Sequence, residues 1–163
     1  MAISCFLPKT SKFRGSCGNS RGLSELFRLG DCNDSITSHL NSCHLSRENM
    51  TEYELILARA GVFELPLAKV NEMMICPKHR HSLGKYWKQR RPCQYPMHRG
   101  GRKATKSRNV VSVNMAKEII KLHGVIVPIG SGLYMITCTS IYFRIPMNSF
   151  EFTIKKNNAH GSS

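Results

Sequence analysis

The sequence predicts a small α+β fold, mainly helical, with short strands and a disordered N-terminus. Three observations lead there. A chain of 163 residues has room for one modest core and its tails, not for two full cores. Helix start and stop signals are concentrated between residues 46 and 124. Residues 1–45 are rich in Ser, Gly and Asn, and no hydrophobic period persists in them. The chain therefore divides into a basic, Ser-rich tail expected to be disordered (1–45), a compact module (46–132) and a divergent tail with possible strands (133–163).

Within the tail, Leu23, Leu26, Phe27 and Leu29 have the spacing of one short helical turn. The first well-signalled helix covers about residues 51–60. Thr51 and Glu54 have capping-box spacing, and Gly61 stands where a helix takes a left-handed residue to stop. After Pro66, the apolar residues Leu67, Val70, Met73 and Met74 fit a second short helix. A third is expected from Pro77 to Trp87, because Pro suits a first helical turn whose N–H has no partner to lose. Residues 99–109 read as a flexible basic loop. Asn114 is the expected cap of a last helix carrying Met115, Ile119, Ile120 and Leu122, with Gly124 as its stop. Val125–Ile129, about 136–145 and Ser149–Ile154 are the strand candidates.

Charge is the second strong signal. The net charge is +14, and 12 of those charges come from Met73 to Lys117, a window of 45 residues without one Asp or Glu. Such a field attracts polyanions, nucleic acid first. Lys88, Arg90, Arg91, Arg99, Arg102, Lys103, Lys106 and Arg108 are the candidate phosphate contacts. Tyr86, Trp87 and Tyr95 lie among them as candidate stacking residues, Trp87 being the better candidate for core.

The same window holds two close Cys/His pairs. Cys76-Pro77-Lys78-His79 is a C-x2-H pair and Cys93 to His98 a C-x4-H pair, with thirteen residues between His79 and Cys93. Zinc takes four N or S ligands in a tetrahedron, and two pairs on separate turns supply them with little strain. Cys76, His79, Cys93 and His98 are therefore the expected ligands of one Zn2+, which would replace the core this polar segment lacks. His81 is the rival of His79, and Cys43 or His44 are substitutes if an upstream helix crosses the site.

Ile75-Cys76-Pro77-Lys78-His79-Arg80, then Cys93 to His98 with Pro96, then Val127-Pro128-Ile129-Gly130-Ser131 resemble a Cys/His zinc-binding module in uncharacterised predicted proteins of marine invertebrates and some fishes. The resemblance covers about residues 43–132 and implies a module without naming an activity. In that pattern a C-x2-C pair follows the Gly-Ser element. This chain has Leu133 and Tyr134 there, so the resemblance supplies no second metal site in the tail.

Enzymatic signals are absent from the metal segment. It has no carboxylate to act as base beside a catalytic zinc, and Arg99 to Lys103 lack the strand-to-helix setting of a phosphate loop. The seven cysteines form no even framework of close spacings, and no apolar signal segment opens the chain, so secretion is not expected. Val125 to Phe143 carries no charge, but Pro128 and Gly130-Ser131-Gly132 break it, so no membrane span is expected. Lys88, Arg90 and Arg91 followed by Arg102, Lys103, Lys106 and Arg108 resemble a two-part nuclear import signal. The expectation is a non-enzymatic, zinc-stabilised nucleic-acid-binding (DNA or RNA) or chromatin-associated adaptor. The alternative is a protein-interaction module with structural zinc, whose basic face meets an acidic partner.

Overall fold

The computed structural model describes residues 4–7, 17, 26–96 and 109–133. It is a small, mainly helical α+β structure. Strand β1 (Phe27–Arg28) is followed by a 3-10 turn (Leu29–Asp31), then by helices α1 (Thr37–Ser42), α2 (Glu52–Arg59) and α3 (Leu67–Glu72). Strand β2 (Met74–Ile75), helix α4 (Pro77–Leu83) and helix α5 (Val113–His123) complete the elements. β1 and β2 pair antiparallel, Phe27 opposite Ile75 and Arg28 opposite Met74.

Helix α2 separates two apolar clusters. One of its faces places Leu55 and Ala58 in a cluster with Ile36, Leu40, Cys43, Leu45, Cys93, Tyr95, Met115, Ile119 and Ile129. The other places Ile56, Leu57 and Ala60 with Cys5, Leu7, Leu29, Cys32, Val70, Ile75, Cys76 and Leu83. The Thr51 amide donates to the Glu54 carboxylate at 2.7 Å, completing the capping box at the start of α2. Gly61 ends the helix at φ +74°, and Gly124 ends α5 at φ +64°.

Several expectations are corrected. The core begins before residue 46: Leu29, Cys32, Ile36, Leu40, Cys43 and Leu45 are buried, and β1, the 3-10 turn and α1 occupy residues 27–42. The expected helical turn through Phe27 and Leu29 does not form: Phe27 pairs with Ile75 in β2, and Leu29, which opens the 3-10 turn, donates its amide to the Met73 carbonyl at 2.8 Å. For the same reason α3 stops at Glu72, and Met74 is strand. The cap of α5 is Ser112, which accepts from the Met115 amide at 3.3 Å, and Asn114 lies inside the helix. Residues 125–129 bury Val127 and Ile129 without forming a strand, and Val110 bridges Gly132 instead. The strand candidates at 136–145 and 149–154 lie outside the described residues. Among the described residues no helix is long and apolar enough to cross a membrane.

Helix α4 ends at Leu83, four residues before the expected Trp87, with Gly84 as its cap, and Arg59 takes up the carbonyls freed there. Its guanidinium, with no exposed surface, donates from Nη1 to the carbonyls of Leu83 and Gly84, both at 2.8 Å. These are carbonyls that a helix end leaves without intrahelical partners. Nε donates to the Ile129 carbonyl at 3.4 Å, and Nη2 reaches His39 Nε2 at 3.0 Å and Cys43 Sγ at 3.8 Å. The five guanidinium N–H groups thus meet five acceptors. The ring of Trp87 covers the group at 4.1 Å. Burial lowers the pKa of Arg59 to about 10 while the Cys43 sulfur acts the other way, so the group stays charged at neutral pH.

A second charged cluster joins the two ends of the first half. Glu52, buried, accepts from Arg80 at 2.9 and 3.1 Å and from the Asp34 amide at 3.0 Å, while Lys85 meets Asp34 at 2.6 Å.

Two substitutions test this account. Arg59→Met keeps the volume but removes the donor from three buried carbonyls, and it is expected to cost at least ~3 kcal/mol in urea unfolding. Gly61→Ala places a Cβ 2.8 Å from the Ile126 side chain at a positive φ, for an expected loss of about 1–2 kcal/mol at unchanged m-value.

Candidate metal centre

The end of β2 and the start of α4 build half of the centre. Cys76 caps α4 with extended backbone and Pro77 occupies the first helical position, which turns His79 back toward Cys76. Cys76 Sγ lies 3.2 Å from His79 Nδ1, so the C-x2-H pair closes on itself as its spacing predicts. His79 is 1% exposed.

The other half comes from the N-terminal segment. The Phe6 amide donates to the Met74 carbonyl at 2.8 Å, and Leu7 is buried among Leu29, Val70 and Ile75. This seats Cys5 beside Cys76, whose amide points at Cys5 Sγ from 3.4 Å. Cys5 Sγ is 3.3 Å and Cys17 Sγ 3.8 Å from His79 Nδ1. The four ligand atoms of Cys5, Cys17, Cys76 and His79 all lie within 4.8 Å of one another. Metal–sulfur bonds of ~2.3 Å and metal–nitrogen bonds of ~2.0 Å give tetrahedral edges of about 3.5 Å for S···N. The three S···N distances scatter around that value, so a Cys3His set able to hold a metal ion is in place.

The chemistry of the set also favours a cation. Although Cys17 is exposed, desolvation by the groups around its sulfur, then hydrogen bonding and repulsion from Cys5 and Cys76, push its thiol up to about 12. Three sulfurs this close do not ionise together unless a cation draws them in. Cys32 is different: its pKa is pushed up to about 11 by burial, and its thiol donates to the Arg28 carbonyl at 3.7 Å. It is core.

The residues singled out by spacing are thus divided. Cys76 and His79 are brought together. Cys93 is buried in the other apolar cluster, across α2, and is not in the Cys3His group. His98, Arg99, Arg102, Lys103, Lys106 and Arg108 lie outside the described residues. His81 is exposed and its ring stacks on Tyr86 at 4.7 Å, away from the centre. Cys43 belongs with Arg59 and His39, and His44 is exposed at φ +58°. Lys88, Arg90 and Arg91 are exposed. Trp87 packs on the core beneath Arg59, and Tyr95 is buried with its hydroxyl 3.0 Å from His123 Nε2, so Tyr95 offers no ring for stacking.

Cys5 and Cys17 were not foreseen. Their one sequence signal is their type: two cysteines in a polar Ser-rich segment that has little other use for a residue usually buried. Comparison with family models, curated proteins and solved structures finds no match.

Because each thiol must lose its proton to bind, loading the metal-free chain with Co2+ at pH 7 is expected to release roughly three protons per ion at this centre. Apparent affinity should weaken as pH falls. Calorimetry in buffers of different ionisation heat, with Cys5→Ser as the comparison, measures both.

Proposed function

We propose that the chain is a non-enzymatic nucleic-acid-binding module whose Cys3His centre holds a structural Zn2+. Three sulfurs and one imidazole nitrogen match the donor set zinc prefers, and a filled tetrahedron leaves no open position for substrate. Glu52 and Asp34, the carboxylates that meet Arg80 of α4, are engaged by Arg80 and Lys85.

One observation carries the nucleic-acid reading. Tyr86 is 58% exposed, stacked on His81 with the rings 13° from parallel, and followed by exposed Lys88, Arg90 and Arg91 in a window without acidic residues. A presented aromatic face beside phosphate-binding cations is how proteins hold unpaired bases without reading sequence. Zinc supports this surface because α4, which carries His79, also leads into Tyr86. The basic residues beyond the described chain, Arg99, Arg102, Lys103, Lys106 and Arg108, extend the charge, and the same residues suit nuclear import.

The second reading, a protein partner, draws on a cavity of about 290 Å³ beside α2 whose apolar wall of Tyr53, Leu57, Phe63, Leu65 and Leu67 is edged by Glu54, Glu64 and Lys117.

Fluorescence anisotropy with single-stranded and duplex oligonucleotides separates the two. The expected result is tighter binding to single strands, with a log–log salt slope of about −0.7 per phosphate contact. Tyr86→Ala should weaken single-strand binding several-fold, and joint replacement of Lys88, Arg90 and Arg91 by Ala should weaken binding to all sequences alike. Displacement by heparin as effective as by oligonucleotide, with Tyr86→Ala unchanged, would favour the protein-interaction reading.

A further inference from the structure

The three thiols of the Cys3His centre differ in access. Cys5 and Cys76 are buried, and so are Cys32, Cys43 and Cys93 outside it. Cys17 is the exposed cysteine among the described residues, and in the sequence it stands between Gly15-Ser16 and Gly18, with no bulky neighbour. A small polar oxidant in solution therefore meets the described cysteines first at Cys17. The ligand atoms of Cys5, Cys17, Cys76 and His79 all lie within 4.8 Å of one another, so further thiols stand beside the sulfur that is oxidised. An accessible cysteine next to a resolving cysteine is the arrangement in which oxidation ends in a reversible disulfide. Coordination removes the proton that the free Cys17 thiol keeps, so the loaded centre presents a thiolate, the nucleophilic form.

Cys5 suits the resolving step better than Cys76. It belongs to the same N-terminal segment as Cys17, so the two can close on each other without moving a helix. The Cys76 amide points at Cys5 Sγ from 3.4 Å, and such a donor favours the thiolate that must attack. Cys76 itself sits between β2 and α4. Pairing with β1 fixes the first, and Arg59 holds the end of the second through the Leu83 and Gly84 carbonyls.

We propose that Cys17 is a modification site for hydroperoxides, and that its oxidation to a Cys5–Cys17 disulfide dismantles the metal centre. This rests on the metal-binding reading of that centre. The Cys17 thiolate attacks hydrogen peroxide: a sulfur–oxygen bond forms, the oxygen–oxygen bond breaks, and hydroxide leaves. The Cys5 thiolate then attacks the sulfenic sulfur of Cys17, so that the disulfide forms and a second hydroxide leaves. The two sulfurs give up two electrons, which reduce the peroxide, and each hydroxide takes a proton from solvent. Cys76 and His79 remain, and two ligands do not fill the four positions zinc prefers, so the ion is released. The N-terminal segment and the start of α4 then lose their common tie, and the surface at Tyr86 loses its support.

Peroxide treatment of the full, zinc-loaded chain tests this. Native mass spectrometry before oxidation counts the ion, and a colorimetric chelator follows its release. Trypsin cuts between the two cysteines at Lys9, Lys12 and Arg14, so the disulfide is expected as peptide 1–9 joined to peptide 15–21. Zinc release should track this cross-link, and single-strand affinity should fall several-fold. Dithiothreitol and fresh zinc should restore both. Cys17→His keeps four ligands without the exposed sulfur, so its ion should survive the same treatment several-fold longer. Cys5→His, which also serves if that variant fails to fold, removes the resolving thiol, and dimedone should then label Cys17 as the sulfenic acid. Zinc retained under peroxide with no such cross-link would overturn this inference alone. Release from Cys17→His as fast as from the parent would do the same, since oxidation would then enter elsewhere. A chain that holds no zinc before oxidation sinks the metal reading, and this inference with it.

Discussion

The buried guanidinium of Arg59 is the constraint on which much of the arrangement rests. It binds the end of α1, the end of α4 and the Ile129 turn to the last residue of α2, joining positions from His39 to Ile129. Burying that charge is costly unless each donor finds an acceptor, so these backbone segments cannot shift independently. Lysine could not replace it, because a point charge with three donors does not match a planar fork that meets five acceptors. The position of Trp87 follows as well, since its ring closes over the guanidinium and packs on the core behind it.

The Cys3His centre performs a related task on the other face of α2. Cys5 and Leu7 are buried against β2 and the residues around it. A backbone hydrogen bond from the Phe6 amide to the Met74 carbonyl ties this segment to β2. A metal ion at the centre would add bonds worth far more than such a contact, on the order of ten kcal/mol in small zinc domains. The ion would therefore act chiefly on the docking of the N-terminal segment, whereas Arg59 holds the helices.

Acidic and basic residues are also sorted by position. Asp34 and Glu52 take up Arg80 and Lys85, so part of the positive charge in the basic window is neutralised inside the fold. Lys88, Arg90 and Arg91 come after these pairs and remain exposed. The net positive charge the fold presents is thus smaller than the charge count of that window implies.

Local features were legible in the sequence because they are decided within one or two turns of chain. The capping box of Thr51 and Glu54, the stops at Gly61 and Gly124, and the closure of Cys76 on His79 behind Pro77 all depend on backbone groups a few residues away. Tertiary structure alone decided which chain segments meet. Spacing paired Cys76 and His79 with Cys93, but packing on opposite faces of α2 separated them, and Cys5 and Cys17 came in from 74 and 62 residues away. Nothing in a local pattern encodes such pairings, because they follow from which apolar faces α2 presents and from where β2 can accept a neighbour. Tyr95 was misread for the same reason: an aromatic among cations looks like a stacking residue until His123, on a distant helix, claims its hydroxyl.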